Sequence, residues 1–174
     1  MKKCSLIVLI TLSVVGCSTT YINRNPVGEI FPTVNGESLE KIDIEMPQYF
    51  NGSKVILLLG YKQDSQFDID RWLIGLDQTE TKAKIYELPT IQGLFPRMFS
   101  TFIDNGMRKG IPKELWGGVI TIYSDGSVIQ EFTGNENGNN ARVLVIDENG
   151  KVIYFYDRGF AVSALNQLRQ KLAN

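Results

Sequence analysis

Hydrophobic and polar positions change period several times along this chain, and each change marks an element. Val55-Ile56-Leu57-Leu58-Leu59 is an unbroken apolar run stopped by Gly60, the pattern of a central strand covered on both faces. Ile69, Trp72, Leu73 and Leu76 follow at i, i+3, i+4 and i+7, which predicts an amphipathic helix. Asp64 or Ser65 can cap its first turn, and Asp68 and Asp70 suit its positive end. Lys82 to Leu88 alternates, with Ala83, Ile85 and Glu87 on one side, and Pro89 stops it. Phe95, Phe99, Phe102, Ile103 and Met107 trace the stripe of a second helix that opens near Pro96. Gly118 to Tyr123 predicts a third strand. Residues 143–147 and 151–156 flank Glu148-Asn149-Gly150 as a hairpin, and from Ser163 a last helix runs through Leu165, Leu168 and Leu172. The stretch after Asp125-Gly126, as far as Phe132, reads either as the return strand of another hairpin or as a short helix over the sheet. The order is β-α-β-α-β, then a hairpin, then α.

The first residues follow a different pattern. Met1-Lys2-Lys3 precedes an apolar run from Leu6 to Val15, the charged start and short core of an export signal. The run is too short for a bilayer, which takes roughly 20 apolar residues. It ends Val14-Val15-Gly16-Cys17-Ser18, which resembles the lipobox of bacterial lipoproteins. In that family the Cys thiol carries diacylglycerol (palmitate and similar chains), and the chain is cut just before it. Residues 1–16 then form the signal peptide, residues 17–33 a lipidated N-terminus and flexible tether rich in Thr, Asn, Pro and Gly, and residues 34–174 one domain. Ser18 stands where an Asp favours retention in the inner membrane, so the expected location is the outer membrane, facing the periplasm.

Composition narrows the chemistry further. The 174 residues, 43% hydrophobic and 21% charged, suit one packed domain. There is no histidine, hence no Ser-His or Cys-His pair and no His-ligated metal. Of the two cysteines, Cys4 leaves with the signal and the sulfur of Cys17 becomes a thioether, so no thiol remains for redox chemistry. Taking Lys2 and Lys3 from the 18 basic residues leaves 16 against 19 acidic ones, a net charge of −3. Nothing there attracts nucleic acid or an anionic membrane, so the lipid must do the holding.

The element order resembles the thioredoxin-like architecture, a three-layer α/β sandwich with a central mixed sheet, a C-terminal β-hairpin and flanking helices. The stretch Val34-Asn35-Gly36-Glu37-Ser38-Leu39 through Pro47, with Phe50-Asn51-Gly52-Ser53-Lys54, resembles the segment that precedes the central strand in peroxiredoxins and thiol oxidoreductases. Residues 102–112, with the block Gly106-Met107-Arg108-Lys109-Gly110-Ile111-Pro112, together with 121–125 and 143–152, resemble the thioredoxin-like family that includes the mitochondrial ATP synthase assembly factor. The resemblance favours the helix after Gly126. It also implies where a redox pair would sit, just after the central strand, and there the chain reads Gly60-Tyr61-Lys62-Gln63-Asp64-Ser65-Gln66-Phe67-Asp68, without sulfur. The facing cis-proline would lie at Asn139-Asn140-Ala141, which holds none. The resemblance therefore implies the scaffold without the oxidoreductase, as an assembly or folding factor binding an envelope protein. An outer-membrane site would separate it from the inner-membrane ATP synthase.

Candidate binding residues follow from that position. Asp64 and Ser65 stand at the cleft, yet a Ser nucleophile needs a base and an oxyanion hole. Helix capping is the simpler role, and Lys62 reads as a solvated cation. An enzyme using Asp64, Asp68 or Lys62 is the competing class. Arg97 and Arg108 can fork onto a carboxylate or phosphate of a partner, or Arg108 can pair with Asp104 or another acid. Tyr61, Phe95, Trp72 and Trp116 are candidates for an aromatic patch, with Trp72 equally suited to the core. Asn139 and Asn140 belong to the polar loop Asn135–Asn140, whose oxygens suit a hard cation or a solvated turn. No catalytic residue, cofactor or metal is assigned.

Overall fold

In the computed structural model, which describes residues 19–93 and 98–173, the apolar run becomes β3 (Val55–Gly60), after β1 (Val34–Ser38) and β2 (Asp43–Met46). Its side chains alternate between two cores, as a strand's period of two requires. Val55, Leu57 and Leu59 enter one, Ile56 and Leu58 the other, each no more than 1% exposed. Full burial of such a side chain contributes about 1.5–3 kcal/mol, so this strand is the backbone of the fold.

The remaining elements are α1 (Gln66–Gln78), β4 (Lys84–Pro89), α2 (Ser100–Gly110), β5 (Ile120–Thr121), α3 (Gly126–Thr133), β6 (Arg142–Ile146), β7 (Val152–Tyr156) and α4 (Val162–Ala173). A four-stranded sheet runs β4-β3-β6-β7, with β3 and β4 parallel and the other pairs antiparallel. A second sheet runs β2-β1-β5. Single parallel bridges, Glu87 to Val119 and Thr90 to Ile122, join it to β4. One face of the main sheet is covered by Phe31, Val34, Ile44, Met46, Ile120 and residues of α3. The other is covered by α1 and α4, through Ile69, Trp72, Leu76, Leu165 and Leu168. Helix, mixed sheet and helix, with the late hairpin, make the three layers expected from the sequence.

Three expectations change and one open alternative closes. The third strand shrinks to Ile120–Thr121, because β1 holds it on one side while β4 touches it only through single bridges. The segment after Gly126, left open between hairpin and helix by its pattern, is the helix α3 that the resemblance favoured. On β4 the fully buried side is Tyr86 and Leu88, while Ala83 and Ile85 are partly buried, since a parallel strand is covered on both faces. Lastly, the stripe of α2 is not core. Phe99 and Phe102 are 55% and 79% exposed, and Asp104 is the buried residue of that helix.

The tether also differs. Residues 19–31 form a strap hydrogen-bonded to the body. Asn135 pairs with Tyr21 in both directions, its side chain accepting the Tyr21 N–H at 2.7 Å and its own N–H donating to the Tyr21 carbonyl at 3.0 Å. The Arg24 N–H donates to the Thr133 carbonyl, and Gly28 and Phe31 donate to the carbonyls of Val152 and Gly150. The polar composition that reads as a linker supplies these edge pairings instead. The signal segment, Cys17, Phe95, Pro96 and Arg97 lie outside the described residues.

Candidate functional site: the cleft at the carboxyl end of the central strand

β3 and β4 end side by side, Gly60 against Pro89. From there the chain turns through Tyr61 and Lys62 into one 3-10 turn (Gln63–Ser65) and α1. A cleft of about 520 Å³ opens above the strand ends, between Gln66 and Ile69 of α1 and Ile103, Gly106 and Met107 of α2, with Ile91 beside them. Carboxyl ends of parallel strands are where α/β folds hold ligands. The wall is mostly carbon, with Lys62, Gln63, Ser65 and Gln66 as its polar part beside Tyr61. An adjoining hollow shares Gln66, Pro89 and Met107 and continues past Leu115 to Asp70 and Glu87. Burial raises the Glu87 carboxyl above its ordinary value, opposed by the Gln66 amide.

The expected site residues divide sharply. Ser65 is buried, and its hydroxyl donates to the Lys62 carbonyl at 2.6 Å. Neither Ser65 nor Asp64 makes a side-chain cap on the helix, because the turn ahead of α1 already directs Ser65 backwards. Asp64 is exposed and outside the cleft wall. Asp68 faces away from it altogether: its carboxylate accepts the Ala141 N–H at 2.9 Å and the Phe160 N–H at 2.7 Å. A cleft enzyme built on these groups thus finds Ser65 and Asp68 already engaged in holding the backbone.

Tyr61 is half-buried, with its hydroxyl enclosed. It donates to the Ile129 carbonyl at 3.2 Å and lies 2.5 Å from Thr133 Oγ1. Burial raises its pKa far above the ordinary tyrosine range. The Arg142 guanidinium stands 4.8 Å from the Tyr61 ring centroid, an attractive cation–π geometry. Arg142 is fully buried, and it donates to the carbonyls of Asn137 and Asn140 and to Asn23 Oδ1. Burial lowers its pKa. The sequence reading passed over it, although a single charge heading the apolar strand Val143–Ile146 was a visible signal.

Arg108 packs α2 onto β1. Its Nε donates to the Leu39 carbonyl at 2.7 Å, Nη1 donates to Asn105 Oδ1 at 3.0 Å, and Nη2 stands 4.0 Å from Glu37. Of the two acids open to Arg108 from the sequence, Asp104 or another on the same surface, it is Glu37 that stands near, while Asp104 accepts the Tyr123 hydroxyl at 3.0 Å. Trp72 is fully buried against Tyr156 and Phe160, and Trp116 donates to the Ile111 carbonyl beneath Arg108. Among the described residues, Tyr61, Trp72 and Trp116 therefore do not gather into an exposed aromatic patch. Among the described residues the exposed aromatics are Phe99 and Phe102 at the α2 side of the cleft, Phe67 on α1, and Tyr49. Asn139 is exposed, while Asn140 donates to the Asp157 carbonyl. In the polar loop, Asn135 is bonded to Thr19, Tyr21 and Gln130, and Glu136 to Asn23. Two of the oxygens read as cation ligands, Asn135 Oδ1 and Glu136 Oε2, thus accept N–H groups of the strap. Among the described residues no cluster of three acidic side chains gathers to hold a metal, and no helix is long and apolar enough to cross a membrane.

Sheet order, crossover helices, late hairpin and a cleft at the end of the central strand define a thioredoxin-like fold. No protein-family model matches the sequence, and no curated protein matches it. Solved structures do. The thioredoxin domain of a thiol-disulfide oxidoreductase from Bacteroides vulgatus is similar over 86% of this chain and 99% of its own, at 13% identity and a TM-score of 0.53. Yeast Sco1 with copper bound is similar over 87% and 95%, at 9% identity and 0.59. The exposed lipoprotein thioredoxin of Streptococcus pneumoniae is similar over 81% and 100%, at 10% identity and 0.54.

Proposed function

We propose that this protein is a redox-inactive thioredoxin-like binding scaffold. An acylated Cys17 holds it at the periplasmic face of the outer membrane, and its cleft takes an apolar stretch of another envelope protein, as an assembly or folding factor does. The supporting observation is the composition of that cleft. Ile69, Pro89, Ile91, Ile103 and Met107 line it, Phe99 and Phe102 stand uncovered on the helix beside it, and the turn at its mouth, Tyr61 to Ser65, carries neither thiol nor imidazole. Such a surface can bury carbon from a partner but offers no nucleophile poised for attack. The copper named in one structural neighbour belongs to that protein; here neither cysteine lies in the cleft sequence.

The test places a photo-crosslinking residue at Met107 in the cleft and, separately, at Lys82 on the far end of the sheet, in living cells. A discrete protein adduct from position 107, absent from 82 and lost in the Phe99→Ser/Phe102→Ser double variant, is expected. Adducts equal at both positions, or none at 107, would overturn the reading.

A further inference from the structure

We infer that the strap seats the domain on the membrane in one orientation, with the cleft end of the sheet toward the lipid headgroups. This rests on the anchor reading above, and takes from it only the acyl group on Cys17. The argument begins with the place where the strap is fastened. Asn135 donates its amide to the Thr19 carbonyl at 2.9 Å, and Glu136 accepts the Asn23 N–H at 2.9 Å while its own N–H donates to Asn23 Oδ1. The buried Arg142 holds the same Asn23 oxygen at 3.2 Å. Gly134 has φ +76°, and a Cβ there would lie 2.2 Å from the Asn23 Cα, so the strap runs through a space only glycine leaves open.

Chain length supplies the rest. A residue spans at most about 3.6 Å, so Cys17 is within about 7 Å of the fastened Thr19. A lipid on that cysteine brings the headgroup layer close to the loop 134–140. That loop adjoins the cleft, because Leu59 pairs with Arg142 at the head of β6 and the Lys62 stem lies against Gly138. Lys82 precedes the Lys84 that pairs with Val55 at the opposite end of β3, about 20 Å away for six residues. The partner surface is therefore a bilayer, and any protein segment entering the cleft does so close to it.

The mature chain has no other free thiol on this reading, so one introduced cysteine can carry a fluorophore. The full acylated protein, labelled at Asn139→Cys or at Lys82→Cys, is placed in vesicles of phosphatidylethanolamine and phosphatidylglycerol containing a headgroup-nitroxide lipid. Quenching at least threefold stronger at 139 than at 82 is expected, and twenty Gly/Ser residues inserted between Ser18 and Thr19 should abolish the difference. Equal quenching with an acylated Cys17, or a difference that survives the insertion, overturns the seat and leaves the anchor standing. Mass spectrometry showing an unmodified Cys17 overturns the anchor and the seat together.

Discussion

Asp68 and Arg142 are charged groups that the fold buries, and both serve the backbone. Asp68 satisfies two amides, of Ala141 and Phe160, that no strand or helix ladder pairs. Each buried amide left without a partner costs about 1–3 kcal/mol. Asp68→Ala should therefore lose about 2–4 kcal/mol in urea unfolding, against less than about 0.5 kcal/mol for the exposed Asp64→Ala. The tyrosines give a second expectation. Burial raises Tyr61 and Tyr123, the latter helped by Asp104, and pushes Tyr154 up to about 12. A raised folded-state pKa means that the folded form keeps its proton longer. The stabilisation is whole below the unfolded value of about 10 and is lost as pH climbs through the folded value. Unfolding free energy should thus fall above pH about 10. The ultraviolet titration should show a late phenolate step that shrinks in Tyr154→Phe. Arg142 was legible only as an anomaly, one cation in an apolar run, because a sequence does not display the carbonyls waiting for it.

At the scale of elements, periodicity placed α1, α2 and α4 along the chain but did not say what would cover them. The spacing that buries Ile69, Trp72 and Leu76 of α1 leaves Phe102 of α2, and Phe99 just ahead of it, in solvent. A period reports that a stripe exists, and only the tertiary arrangement decides whether an element lies against it. Where a stripe is covered, the packing is close. A Cβ at Gly75 of α1 would meet the Phe160 ring at 2.8 Å and Leu165 of α4 at 3.1 Å. Gly75→Leu should cost about 1–3 kcal/mol by overpacking, read as a lower Tm, whereas Phe102→Ser should leave Tm nearly unchanged. The cleft's position was legible from the chain, since it follows an apolar run ended by glycine. Its composition was not, because Ile69, Ile91 and Met107 come from separate segments.

Across the whole molecule, the strap changes the description most. Asn, Pro, Thr and Gly between residues 19 and 32 carry the signature of a linker, and the pairing that fastens them lies far along the chain, where no local pattern registers it. Gly134→Ala should release it, combining strain at a positive φ with a 2.2 Å clash. Trypsin should then cut after Arg24 on the order of tenfold faster while the body stays protected. The same bonds carry a consequence in time. Those joining Thr19, Tyr21 and Asn23 to the loop and to Arg142 span 113 to 119 residues. Contacts of such sequence separation form late, and a chain is made N-terminus first. The residues beside Cys17 consequently stay slack until nearly everything downstream is in place. On the anchor proposed above, an enzyme attaching lipid there would meet an extended substrate, and folding afterwards would draw the leash tight, so that completion of the domain itself would set its distance from the membrane.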